Sequence, residues 1–299
     1  MSATNPIHPP LMPSIWTAIY LNRPIVDALK SLLAAGWRCF ELSTEHLQEI
    51  EDAPNPQALI DELRDTLAQH GACMPQAHSY LPANVAHPDE ERRRSDLQRL
   101  QRNLRTCALL GVRDVVVHPG VGAGYSTSDG LASILSLNVQ AFSLLASQAA
   151  DLGLRIAIEN MMDGRSLEGS RAYCASIQEL LDLVAEVGHP SLGVTLDTSH
   201  ANVQRISLPA AIQKLGSLLW CTHISDNDGS GDQHRCPGYG KIDWPPVVVA
   251  LRKVRYPGAL NLEIPGERTA PSELLDLKVR HALEVTTWLA HADQSPFSS

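Results

Sequence analysis

Arg155-Ile-Ala-Ile-Glu159, Leu192-Gly-Val-Thr-Leu-Asp197, Leu219-Trp-Cys-Thr-His223 and Leu260-Asn-Leu-Glu263 are four short apolar runs, each ending in a residue able to ligate a metal. An ionisable side chain directly after a buried strand is costly unless something pairs with it. Here the arrangement recurs at steps of 38, 26 and 40 residues, about the length of a strand–helix unit. The spacing points to a parallel barrel with a metal at its mouth.

The rest of the chain keeps the same rhythm. Ser14-Ile-Trp-Thr-Ala-Ile19 reads as a first strand, followed by a helix over 25–35. Trp37–Leu42 is a second strand, and Pro56 and Gly71 bracket a helix over 56–70. Ala72–His78 is a third strand, and the charged segment 89–110 carries apolar residues at helical spacing until Gly111. Asp114-Val-Val-Val-His118 is a β-branched run too short for a helix. Helices over 131–152, 176–187, 208–217, 244–254 and 272–291 separate the four opening runs and close the chain. Eight βα units over about 250 residues predict an α/β fold, the (β/α)8 TIM barrel of parallel strands. A doubly wound open sheet competes, but no Gly-x-Gly-x-x-Gly turn follows the first strand. Gly120-Val-Gly-Ala-Gly124 follows the fourth strand instead, and reads as a flexible active-site loop. The expected plan is an N-terminal extension over 1–13, the catalytic barrel over 14–293 and a C-terminal tail over 294–299.

Composition limits the function classes. The 299 residues are 44% hydrophobic and 19% charged, which fits a globular chain with a large core. A net charge of −9 weighs against a nucleic-acid partner. The six cysteines lack a Cys-x-x-Cys pair and read as reduced core thiols. The Pro-rich N-terminus has no positively charged apolar signal, and no apolar stretch approaches the ~20 residues of a membrane span. The expectation is a cytoplasmic protein without membrane association.

In a barrel the C-terminal strand ends converge on one face. Glu159, Asp197, His223 and Glu263 then form a mixed cage. Three carboxylates and one imidazole suit a hard divalent ion such as Mn²⁺, Mg²⁺ or Co²⁺, and also accommodate Zn²⁺. Any single strand-end carboxylate is more often structural; four in corresponding places reverse that weighting. His78 and His118 end the third and fourth strands, His200 lies three residues after Asp197, and Asp232-Gln-His234 follows the seventh strand. These five are additional ligands on one reading and hydrogen-bonding partners on the other. Histidines 8, 46, 70, 87, 189, 281 and 291 read as structural or surface residues.

The chain resembles the sugar phosphate isomerase/epimerase and endonuclease IV superfamily of xylose-isomerase-like barrels. The resemblance lies in Ala77-His-Ser-Tyr-Leu81, Val117-His-Pro-Gly120, Ile158-Glu-Asn160, Leu196-Asp-Thr-Ser-His200, His223-Ile-Ser-Asp-Asn-Asp-Gly229, Asp232-Gln-His-Arg-Cys-Pro-Gly-Tyr-Gly-Lys-Ile-Asp-Trp244 and Leu262-Glu263. It implies one metal held by Glu159, Asp197, His223 and Glu263 in epimerase-like members. In endonuclease IV-like members it implies three zinc ions that also use His78, His118, His200, Asp232 and His234. The chain departs from the better-known ketose epimerases at His234, where their Asn-Arg-x-x-Pro-Gly motif places a substrate-binding Arg.

The leading expectation is a divalent-metal-dependent isomerase or epimerase of carbohydrate metabolism, acting on a sugar, cyclitol or related polyhydroxy carbonyl compound. Proton removal next to a carbonyl leaves an enediolate, which a divalent cation stabilises. The resemblance assigns the proton-transfer roles to Glu159 and Glu263 and the main metal-holding roles to Asp197 and His223. Glu41 and Trp16, with His200 and His234, are candidate substrate contacts; the structural alternatives for Glu41 and Trp16 are a buried carboxylate and core packing. Competing readings are an endonuclease IV-like zinc phosphodiesterase at abasic DNA sites, a non-catalytic carbohydrate-binding barrel, and a related lyase or dehydratase. The DNA reading lacks a basic or aromatic run to hold a bent duplex. Expected partners are the small-molecule substrate and, in a homo-oligomer, further copies of the chain.

Overall fold

Eight short strands run parallel around a nearly closed barrel: β1 (Met12–Trp16), β2 (Cys39–Leu42), β3 (Cys73–His78), β4 (Asp114–Val117), β5 (Arg155–Glu159), β6 (Leu192–Asp197), β7 (Leu219–His223) and β8 (Ala259–Leu262). This computed structural model describes residues 11–122, 125, 127–163, 172–267 and 269–291. The strand order is β7-β6-β5-β4-β3-β2-β1-β8. A bridge between Ile224 and Leu262 brings the two ends together, with Ile224 N–H donating to Asn261 O at 2.7 Å and Glu263 N–H to Ile224 O at 3.0 Å.

The surrounding helices are α1 (Ile25–Ala34), α2 (Thr44–Asp52), α3 (Pro56–Gln69), α4 (Glu90–Leu110), α5 (Ser128–Asp151), α6 (Ile177–Val187), α7 (Thr198–Val203), α8 (Leu208–Leu215), α9 (Trp244–Lys253) and α10 (Ser272–Ala290). Local chemistry sets several limits. Asn55 caps α3 by accepting from Ala58 N–H at 3.2 Å, with Pro56 opening the helix. Gly111 ends α4 in the left-handed conformation at φ +79°, which a residue without Cβ adopts at little cost.

The sequence expectation misses α2 and α7. Both are short and lie directly after strands, and α2 shows little apolar periodicity beyond Leu47 and Ile50. The first strand starts at Met12 and gives way to a 3-10 turn over 17–20, whereas the sequence reading placed it over 14–19. The expected extension lies mostly at 1–10 and the tail at 294–299, outside the described residues, as do Ala123 and Gly124 of the Gly-rich loop.

A further correction concerns α5, a 24-residue helix containing an 18-residue window of mean hydropathy 1.4, which is long and apolar enough to cross a membrane by length and composition. Its Ile134, Ala141, Phe142, Leu145 and Ala149 are buried in the barrel fold. Ser, Asn and Gln residues interrupt its apolar sequence, so that no unbroken apolar run marks its length.

The interior alternates with period two. Val116, Ala157 and Cys221 form a small buried cluster apart from the main core between strands and helices. Two residues further along the same strand directions stand His118, Glu159 and His223, at the mouth.

Candidate metal centre

Strand alternation and parallel register bring Glu159, Asp197, His223 and Glu263 together. Glu159 pairs with Thr195, and Asp197 with His223, in neighbouring strands. One donor atom from each of the four residues lies within 4.8 Å of the others, and all four residues are buried. Glu159 Oε2, Asp197 Oδ2, His223 Nδ1 and Glu263 Oε2 make no hydrogen bond of acceptable geometry, although imidazole and carboxylate atoms approach to ion-pair distance. His223 Nδ1 lies 3.2 Å from Glu159 Oε1 and 3.1 Å from Glu263 Oε2. Buried polar atoms without partners are expensive, and here each cage residue supplies one. A divalent cation fits this donor set: three carboxylates and an imidazole would satisfy the atoms together.

Surrounding contacts orient the donors. Asp197 Oδ1 caps α7 by accepting from His200 N–H at 2.7 Å, which leaves Oδ2 for the cage. Asn160 accepts from Asp197 N–H at 2.7 Å and donates to Asp197 O at 3.1 Å, locking the end of β6. His78 donates from Nδ1 to Ser79 O at 2.9 Å. Its Nε2 then lies 3.4 Å from Glu159 Oε2, and His118 Nε2 reaches the same oxygen at 3.2 Å. His78, Glu159 and His223 thereby form a second set of donors within 4.8 Å of one another.

The electrostatics reflect crowded acids and bases. Burial pushes the Glu263 carboxyl up to about 7, against the attraction of His223 and His234. Burial also raises Asp197, with the Glu159 charge adding to it. Glu159 goes the other way: burial opposes ionisation, but His223 and His118 hold it well below the usual carboxylate range. The His223 imidazole is disfavoured as a cation by burial, yet Glu263, Glu41 and Glu159 hold it well above its ordinary value.

The outer residues form a linked group. Asp232 Oδ2 accepts from His234 Nε2 at 2.6 Å and lies 3.6 Å from His200 Nε2, while Ser199 donates to Asp232 Oδ1 at 2.5 Å. The second ring nitrogens of both histidines donate to backbone, His200 to Asn160 O at 2.8 Å and His234 to Glu263 O at 3.0 Å. His234 is raised to about 10: burial lowers it, but the Asp232 hydrogen bond and the Glu263 and Asp197 charges prevail. Among the described residues, His200, Asp232 and His234 do not form a donor set within 4.8 Å, unlike the central cage. Trp16 stacks on the His234 ring, with centroids 6.3 Å apart and planes 9° apart, and its indole donates to Ile264 O at 2.8 Å. Beside it a cavity of about 200 Å³ opens between the loops after β1 and β8, lined partly by Leu21, Asn22 and Pro265.

Glu41 is fully buried, as the alternative of a buried structural carboxylate expects. His223 Nε2 lies 3.0 Å from its Oε1, and Asn261 Nδ2 donates to its Oε2. Asn261, Asn160 and Ser199 were not singled out from sequence as individual site residues. For Asn261 the available signal was a polar residue two positions before Glu263, on the same face of β8.

A model of the family described as xylose isomerase-like TIM barrel matches residues 29–286. An uncharacterised protein of Methanocaldococcus jannaschii is 28% identical over 254 residues, covering 84% of this chain and 83% of its own. A D-psicose 3-epimerase of Agrobacterium fabrum is 25% identical over 284 residues, covering 93% and 90%. The crystal structure of a D-tagatose 3-epimerase-like protein superposes with a TM-score of 0.77 at 21% identity, covering 95% of this chain and all of that one, 100%.

Proposed function

The chain belongs to the xylose isomerase-like TIM-barrel family, and on that premise we propose that it is a metal-dependent isomerase or epimerase of a sugar, cyclitol or related polyhydroxy carbonyl compound. The observation that carries the reading is the set of four inward-facing, unpartnered atoms, one each from Glu159, Asp197, His223 and Glu263. The similarity to a D-psicose 3-epimerase over nearly the full chain supports the substrate class.

Glu159, Asp197, His223 and Glu263 would hold one divalent ion, Mn²⁺, Mg²⁺, Co²⁺ or Zn²⁺. When bound, such an ion supplies Lewis-acid stabilisation of negative charge on substrate oxygen. The protein's own groups then manage the proton. Glu159, held ionised by neighbouring imidazoles, is suited to take a proton from the carbon beside the carbonyl. Glu263, pushed up to about 7, is suited to return one, and the roles exchange in the reverse reaction. His200 and His234, tied together through Asp232, are the candidate contacts to substrate hydroxyls, which would take the place of Asp232 at an Nε2 atom, and Trp16 supplies an apolar wall.

The test is turnover of a ketose and cyclitol-ketone panel in deuterated water with added Mn²⁺ or Co²⁺. Solvent deuterium should enter the carbon beside the carbonyl. Glu159→Gln should lower kcat by ~10²–10⁴-fold with a much smaller change in KM. A substrate that turns over without any exchange would point to hydride shift and remove the proton-transfer reading.

A further inference from the structure

We propose that Ser14, Asn261 and Glu41 form a buried positioning relay that fixes His223 with Nδ1 turned to the cage. The inference rests on the metal-holding role proposed for His223. The relay joins β1, β8, β2 and β7. Ser14 Oγ donates to Asn261 Oδ1 at 3.0 Å, Asn261 Nδ2 donates to Glu41 Oε2, and Glu41 Oε1 accepts from His223 Nε2 at 3.0 Å. Ser14, Glu41, Asn261 and His223 are each at most 1% exposed.

The chemistry gives the relay a direction. Asn261 has an amide that both donates and accepts, and the acceptor-only Glu41 carboxylate selects the orientation in which its NH₂ faces Glu41, leaving Oδ1 to accept from the Ser14 hydroxyl. With one oxygen taken by Asn261, the Glu41 carboxylate presents the other to His223. A carboxylate only accepts, so the imidazole proton at this contact must lie on Nε2. In the neutral imidazole the lone pair is then on Nδ1, the atom left unpartnered at the cage. A buried carboxylate costs several kcal/mol unless charged and polar partners compensate it, so a fold that places one here needs a reason beyond packing. A carboxylate behind a ligating histidine fixes the tautomer and strengthens the donor nitrogen. Glu41 is thus a positioning residue acting through His223, not a ligand or a substrate contact.

The test is Co²⁺ titration of chelator-treated full-length protein, followed by calorimetry and by the visible absorption of the bound ion. Glu41→Gln keeps an acceptor but loses the charge, and should weaken Co²⁺ binding ~10-fold; Glu41→Ala should weaken it towards ~100-fold. Asn261→Ala, which leaves Glu41 in place, should weaken binding by less than Glu41→Ala and alter the absorption of bound Co²⁺. The melting temperature of metal-free Glu41→Gln should stay close to wild type, which separates positioning from general loss of structure. Wild-type Co²⁺ affinity within twofold in both folded Glu41→Gln and Asn261→Ala would overturn the relay while leaving the metal site standing. Failure of the wild-type protein to bind Co²⁺ would overturn both.

Discussion

Removing a carboxylate from the centre should stabilise the metal-free protein, and Glu263→Gln is the sharpest case. Burial raises the Glu263 carboxyl to about 7 from 4.5, although His223 and His234 oppose that rise. Between those two values the folded protein binds more protons than the unfolded chain, so stability falls as pH rises through the window. The penalty is absent below about pH 4.5 and complete above about pH 7. A shift from 4.5 to about 7, at ~1.4 kcal/mol per unit, sets a ceiling of about 3.5 kcal/mol. Loss of the attraction between Glu263 and a protonated His223, 3.1 Å apart, offsets part of the gain. Urea unfolding of chelator-treated wild type and Glu263→Gln at pH 4.5 and pH 8 measures the difference directly. The variant should gain on the wild type between the two pH values, and the wild type should recover the difference at pH 8 when saturated with Mn²⁺. A stability difference independent of pH, or one favouring wild-type apo-protein at pH 8, would refute the argument.

Asp197→Ala should abolish Co²⁺ binding by calorimetry while circular dichroism still reports a folded barrel; the loss of its cap on α7 should cost ~0.5–2 kcal/mol. Metal analysis of protein purified without chelator should find one ion per chain, because the His200–Asp232–His234 group is more open than the cage; three zinc ions would assign ligand roles to the outer residues instead. Phe142→Ala should cost ~3–5 kcal/mol in urea unfolding, since its fully buried ring anchors the apolar face of α5 to the barrel.

One pair of residues and one pair of helices show where sequence reading succeeds and where it stops. Glu159 and Asp197 stand at the ends of β-branched or leucine-rich runs separated by a helix-length interval, and alternation along a strand is a local property. Their arrival at the barrel mouth therefore follows once eight βα units are counted. The short α2 and α7 escaped because their local patterns are weak and the strands before them do more to fix their positions.

The sequence by itself determined the parallel barrel, the strand-end location of the four cage residues and the chemistry of their donors. Only the tertiary structure decided that Glu41 meets His223, 182 positions away in the chain. It also decided that His200 and His234 share Asp232 without forming a compact donor set with it. Strand periodicity tells which face a side chain takes. Its partner across the barrel depends on closure, register and rotamer, which are fixed jointly by all eight strands and the helices packed on them.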